Sequence, residues 1–400
     1  MTGKAPAPPF RATVSGLTGS HPLDLAREFA ARNMLAGYYT SLPESRTSGV
    51  PPALVHRHLA LLLPIHGLVH GWAPLAPQRL QELIDHEFDR WASRRVVDAD
   101  VTHAVAGLGL RQRRAAKDRF STLAVCDCGT THIRYQQATL DAEHTRWGAD
   151  PIRWDARSTA NIEQEYEESD LIVVPSRFAY NTFVDRGVPV HKLAFVPYGV
   201  DSEVYRPVQK TDDVFRILFV GTLSFRKGFP YLLEAVSGLD WRGAELTLRG
   251  SETPESKRLL DAYRGAIPIS IVPPQPRTRL KELYSNASVL VLPSIEDGFG
   301  LVIGQALACG TPVIATTSTG GPDVIENGTN GLIIPPRDSR ALRDALTRLR
   351  DDSGLLGAMR VEARRRVEKA RGWGKYGDGM VDAFARALER QRGTAVAHAR

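Results

Sequence analysis

From about residue 215 onward, short apolar runs alternate with segments of helical period, and this alternation constrains the fold more than any other feature of the chain. Arg216–Val220, Glu245–Leu248, Ile269–Val272, Val289–Leu292, Pro312–Ala315 and Leu332–Ile334 read as strands. Between them, Pro230–Ser237, Glu255–Arg264, Arg277–Ser285 and Leu301–Ala308 read as helices. Apolar runs with no polar face suit a parallel sheet covered on both sides, and strands separated by helices are the mark of βαβ units. Two more helices are expected near 339–350 and 354–370. Gly372-Trp373-Gly374 is expected to interrupt the chain before a last helix from about Tyr376 to Arg390.

The first half reads the same way with more noise. Ala12–Ser15 is a first strand, followed by the loop Gly16-Leu17-Thr18-Gly19-Ser20 and a helix from Pro22 to Ala36. Val101–Ala106, Thr122–Cys126 and Leu171–Val174 are strand-like, whereas 45–98 reads as helical and His-rich without a clear period. Segment 197–213, with Pro197, Gly199 and Pro207, reads as a linker. The expectation is an α/β protein of two doubly wound, Rossmann-like lobes, with ligands in crevices beyond the carboxyl ends of strands.

Composition narrows the class. A chain of 400 residues, 42% hydrophobic and 24% charged, can bury a large core without a disulfide or metal staple. The three cysteines, Cys126, Cys128 and Cys309, form no framework spacing, which fits a reducing cytosol and a cytoplasmic protein. Met1 to Phe10 lacks the apolar stretch of a signal peptide, and Leu59–Pro64 is far too short to span a bilayer. The net charge of +6 is concentrated at the end, where 337–400 holds 16 Lys and Arg against 9 Asp and Glu. Arg360, Arg364, Arg365, Arg366, Lys369 and Arg371 read as a solvated basic face beside an anion-binding cleft, with room for peripheral contact with an anionic membrane face. No aromatic interleaving supports nucleic-acid binding.

Two loops carry chemistry. Leu292-Pro293-Ser294-Ile295-Glu296-Asp297-Gly298-Phe299-Gly300-Leu301 leaves a strand through Pro-Ser, passes acidic residues and opens a helix after Gly-x-Gly. Such a turn aims backbone N–H groups and a helix dipole at an anion, while Asp297 and Gln305 can hydrogen-bond ligand hydroxyls. Phe219-Val220-Gly221-Thr222-Leu223-Ser224-Phe225-Arg226-Lys227-Gly228 ends another strand and places two adjacent cations in one loop. Arg can clamp a phosphate bidentately and Lys supplies a point charge, so together the loops predict a diphosphate site. Neither a Walker loop nor a dinucleotide-binding Gly-x-Gly-x-x-Gly is present. Cys126-x-Cys128-x3-His132 could ligate zinc but lacks a fourth partner, and His66 and His70 lie in an apolar setting that suggests packing.

The motifs Gly221…Arg226-Lys227-Gly228, Pro293-Ser294…Asp297-Gly298-Phe299-Gly300…Gln305-Ala306…Gly310-Thr311-Pro312 and Thr319-Gly320-Gly321-Pro322-Asp323…Asn327-Gly328 resemble family 4 (group 1) glycosyltransferases. Asp170–Ser176, Pro197–Asp201, Cys126–Ile133 and Gly372-Trp373…Tyr376-Gly377 extend the likeness over most of the chain. The resemblance implies a GT-B fold with lobes at 1–205 and 206–375 and a helix at 376–400 crossing back to the first. It implies a retaining, metal-independent transferase without a cofactor, moving a sugar from a nucleotide-sugar donor to a sugar, lipid-linked or small-molecule acceptor in polysaccharide or glycoconjugate synthesis. Arg226 and Lys227 would neutralise the diphosphate, and Asp297 would contact the donor sugar. Gln305 would contact the ribose, and amides along Gly298, Phe299, Gly300 and Leu301 the distal phosphate. His132 would meet the sugar from the other lobe, and Gly19 would lie in the loop closing on the donor. The chain departs from the family at Thr222, where an Arg is usual, and at Asp297 and Gln305, which stand for a pair of Glu. An epimerase or phosphorylase on the same architecture, or a nucleotide-sugar-binding pseudoenzyme, are the alternatives.

Overall fold

The structure, a computed structural model, describes residues 8–17, 21–70, 77–273, 276, 279–370 and 372–398. Among the described residues, thirteen strands form two sheets, and every pairing within them is parallel. The first contains β1 (Ala12–Ser15), β2 (Leu35–Thr40), β3 (Val55–Arg57), β4 (Val101–Val105), β5 (Leu123–Asp127), β6 (Leu171–Val174) and β7 (Leu193–Phe195), in the order β3-β2-β1-β4-β5-β6-β7. The second contains β8 (Phe215–Val220), β9 (Ala244–Arg249), β10 (Ile269–Ile271), β11 (Val289–Leu292), β12 (Val313–Thr316) and β13 (Gly331–Ile334), in the order β10-β9-β8-β11-β12-β13.

In each sheet the order reverses once, beside β1 in the first and beside β8 in the second. Such switch points open a crevice at the carboxyl ends, because the crossovers on either side leave in opposite directions. Leu218 pairs with Leu290, so β8 and β11 end level, two residues on, at Val220 and Leu292. Both loops with predicted chemistry therefore leave from one edge of the second sheet.

The departures from the sequence reading have local causes. The helix expected over 22–36 ends at Ala31, and Asn33 takes a left-handed φ of 56° that turns the chain into β2. Residues 45–98 contain β3 as well as the helices Leu62–His70 and Pro77–Ser93. The break before the last helix falls as expected, between Lys369 and Gly372 (φ 56°), but the helix starts at Gly372 rather than Tyr376 and runs on to His398. Trp373 packs on Tyr198 and Tyr376, and Phe384 sits against Phe10 and Phe29 beneath the first sheet. Tertiary burial of these rings outweighs the cost of glycine in a helix, about 1 kcal/mol per residue.

The basic stretch is only partly a solvated face. Arg360 donates to the carbonyls of Ser285 and Ala287, and Arg364 to those of Tyr205 and Ala308, tying helix Ser353–Lys369 to the second lobe. No helix among the described residues is long and apolar enough to cross a membrane.

Candidate functional site

Arg226 and Lys227 stand in the turn after β8, and the Glu296–Leu301 loop follows β11. A hydrogen bond from Ile295 N to Arg226 O, 3.0 Å, ties the two turns together. Arg226 Nε donates to Glu296 Oε2 at 2.5 Å, and Lys227 Nζ pairs with Asp297 Oδ2. Burial alone would push the Asp297 carboxyl up, but Lys227, then Arg226 and the Phe299 amide, outweigh it and hold the group below the usual carboxylate range. One of the amides expected to face the distal phosphate, that of Phe299, thus serves Asp297. Gly300 has φ 84° and caps helix Leu301–Ala308, a conformation that glycine takes without strain.

Gln305 lies one turn into that helix, where Tyr284 Oη donates to its Oε1 at 2.7 Å. The acceptor end of the amide is thereby occupied from the protein side, and its NH2 remains the donor group for a ligand. Gly221 follows β8 beside the Lys227 stem, and Thr222 is exposed. Gly19 lies outside the described residues.

Glu296 was not assigned a role from the sequence, yet it is fully buried and joins the lobes. Beside Arg226 it accepts from Thr131 Oγ1 at 2.7 Å and Gln136 Nε2 at 3.1 Å, both in the first lobe. Next to it the backbones touch. A Cβ built on Gly298 would lie 2.0 Å from Gly129 O and 2.7 Å from Thr130 Cα. A second bridge is centred on Glu143, also fully buried, on helix Ile133–Arg146. It accepts from Arg337 Nε at 2.6 Å and from Tyr231 Oη of the second lobe, and from Trp147 Nε1 at 3.0 Å.

His132 is not brought into this group. Its Nδ1 caps helix Ile133–Arg146 by accepting from Arg134 N at 3.1 Å, and its ring packs against Tyr166 and Phe183, each with centroids 5.1 Å away. Any contact from His132 to a sugar across the cleft would thus come from Nε2, the nitrogen not engaged at the helix end. The acceptor nitrogen is spent on the helix end and the ring on the core cluster of Cys126, Cys128 and Phe183. The zinc alternative fails here. Among the described residues, no group of three or more His, Cys, Asp or Glu side chains is placed to hold a metal ion.

Burial, then Arg186, pushes the His132 imidazole down from 6.5 to about 4. Its folded value is the lower, so between these limits the unfolded chain binds the extra proton and stability falls as pH falls. At 1.36 kcal/mol per pH unit the loss reaches about 3 kcal/mol by pH 4, with no contribution above the unfolded value. His132→Asn keeps a competent cap, so urea unfolding from pH 7 to 4.5 should show a shallower acid loss than wild type. An unchanged slope would mean that the imidazole is not sequestered.

Residues 214–352 match the family model described as Glycosyl transferases group 1. A D-inositol 3-phosphate glycosyltransferase of Xylanimonas cellulosilytica is 30% identical over 250 residues, covering 57% of this chain and 60% of that protein. The corresponding protein of Rhodococcus jostii is 29% identical over 246 residues, covering 56% and 54%. The matches thus span little more than half the length of these relatives. Among solved structures, sucrose-phosphate synthase of Thermosynechococcus elongatus superposes with a TM-score of 0.72 at 21% identity, over 96% of this chain and 99% of that one. Anabaena HepE in complex with UDP and glucose gives a TM-score of 0.66 at 14% identity, over 94% and 99%.

Proposed function

We infer the reaction from one premise: the chain belongs to the group 1 glycosyltransferases and has the GT-B fold. The reading is transfer of a sugar from a nucleoside-diphosphate donor to an acceptor hydroxyl with retention of anomeric configuration. One observation carries it, the meeting of Arg226, Lys227 and the 297–301 loop at the level ends of β8 and β11. Arg226 engages Glu296 through Nε only, which leaves the guanidinium's Nη groups for phosphate oxygens. Lys227 and the first amides of helix Leu301–Ala308 add charge and dipole where the leaving group gains negative charge.

The bond from the sugar's anomeric carbon to the phosphate oxygen breaks, and the bond to the acceptor oxygen forms on the same face. The acceptor's proton passes to the departing phosphate oxygen, so no enzymic nucleophile is needed. The closed contact between Gly298 and Gly129 limits the water that could compete with the acceptor. Fixed cations take the part a divalent metal would otherwise play, so the reading is of a metal-independent enzyme. Its acceptor belongs to polysaccharide or glycoconjugate synthesis; the relatives named for D-inositol 3-phosphate favour a polyhydroxylated acceptor.

A thermal-shift panel of UDP-, GDP- and ADP-sugars identifies the donor, and proton NMR of the product reads its anomeric configuration. Turnover should survive excess EDTA. A loss restored by Mn²⁺, or an inverted product, would contradict the reading.

A further inference from the structure

Both connections between the lobes pass one point, and a cavity opens beside it. The linker leaving the first lobe and the start of helix Gly372–His398 press together there. A Cβ on Gly199 would lie 2.5 Å from Trp373 N and 2.6 Å from Gly372 O, and one on Gly372 would lie 2.7 Å from Val200 O. The cavity holds about 300 Å³, at the small end of the roughly 300–1,000 Å³ of ligand sites. Tyr198 and Val200 of the linker, Phe299 and Leu301 at the mouth of helix Leu301–Ala308, and Val367 and Tyr376 of the last two helices wall it. It shares Phe299 and Leu301 with the donor site read above, but Arg226, Lys227, Asp297 and Gln305 are not among its walls.

The charge around this apolar space is one-sided. Arg366, Lys369 and Lys375 all line the cavity and are all exposed. Among the described residues, none of the three is paired with a carboxylate. Their neighbours on helix Ser353–Lys369 do have partners, for Arg364 donates to Glu368 at 2.8 Å and Arg365 to Glu362 at 2.7 Å. Arg366 and Lys369 stand three positions apart on one helix face, where like charges disfavour the helix. Asp323, the only acid lining the cavity among the described residues, already accepts the Arg177 amide at 2.9 Å, and burial pushes its carboxyl up.

We propose that this cavity binds a small amphiphilic anion, a single carboxylate or phosphate head on an apolar body. The aromatic and aliphatic walls take the body out of water, and the three cations meet the head in charge-assisted hydrogen bonds. An anion without an apolar part leaves the walls wet, and a neutral apolar molecule leaves the cations unmatched. The site also gives a use to the part of the basic stretch that does not tie its helix to the second lobe.

The test is calorimetry with octanoate, octyl phosphate and octan-1-ol, each kept below its aggregation range, with melting temperatures showing that every protein is folded. Wild type should bind octanoate or octyl phosphate one-to-one and at least about tenfold more tightly than octan-1-ol, the scale of a lost charge-assisted partner. The tighter of the two anions identifies the head. Saturating UDP should leave that affinity within twofold. The double variant Arg366→Glu, Lys369→Glu should weaken it at least about tenfold, and Val324→Phe, which fills the cavity from another wall, should weaken it too. Arg365→Glu, on the same helix but outside the lining, should bind within twofold of wild type. Four results each overturn the proposal: no saturable binding by wild type, octan-1-ol binding as tightly as the anions, unchanged affinity in both cavity variants, or displacement by UDP. Only the last of these involves a nucleotide, so failure of the donor-binding reading leaves the proposal standing on the other three.

Discussion

Gly298→Ala is expected to cost at least about 10²-fold in turnover while leaving nucleoside-diphosphate affinity within a few-fold of wild type. The added Cβ would meet Gly129 O at 2.0 Å, Gly129 C at 2.7 Å and Thr130 Cα at 2.7 Å, all backbone atoms that no side-chain rotation can move. Gly298 has no left-handed φ, so alanine brings no backbone strain of its own and the clash is the whole effect. Relief requires the lobes to part by about 1 Å at this point, a displacement that costs on the order of 10²-fold when it separates reacting groups. The neighbouring bond from Thr131 Oγ1 to Glu296, 2.7 Å, would stretch with it. The cations proposed to bind the diphosphate, Arg226 and Lys227, belong to the second lobe and stay in place. Steady-state rates beside calorimetry on one preparation check this. Full turnover in Gly298→Ala would show that the contact between the lobes has no part in the reaction.

Much of the second lobe was legible because its signals are local. Val289–Leu292 and Leu301–Ala308 have the bounds expected from an apolar run, a Pro-Ser exit and a Gly-x-Gly turn. The first sheet hid three strands. β2, Leu35–Thr40, is buried on both faces, so it shows no alternation and merges with the helical pattern before it. β3 and β7 have three residues each, too few for any period to emerge. Arg226, Lys227 and Asp297, singled out by their distance from strand ends, stand together in the structure. Glu296 was visible as an acid next to Asp297, but its partners Thr131 and Gln136 lie 165 and 160 positions away. Nothing in local spacing reports such a pairing. His132 drew attention as a polar residue after a strand, and only packing reveals that Tyr166 and Phe183 enclose it.

The cation pair is the second place where a large effect is expected. In the structure each cation faces a carboxylate, Arg226 with Glu296 and Lys227 with Asp297, so an incoming diphosphate competes with charges already in place. Removing either cation takes away charge-assisted hydrogen bonds worth roughly 1.5–3 kcal/mol, or about 10- to 150-fold in Kd. It also leaves a buried carboxylate to repel the phosphates, which adds to the loss. The two sites share partners, so their effects need not sum. Lys227→Gln, which keeps a donor for Asp297, separates loss of charge from loss of structure.

Titration calorimetry of wild type, Arg226→Ala, Lys227→Gln and the double variant, with the nucleoside diphosphate that stabilises the wild type, tests the donor site most directly. The expected result is saturable one-to-one binding by the wild type, weakened about tenfold or more in each single variant and at least about 10²-fold in the double, with melting temperatures showing all four folded. Equal affinity across the four proteins would contradict the account, because the diphosphate would then bind somewhere other than the ends of β8 and β11.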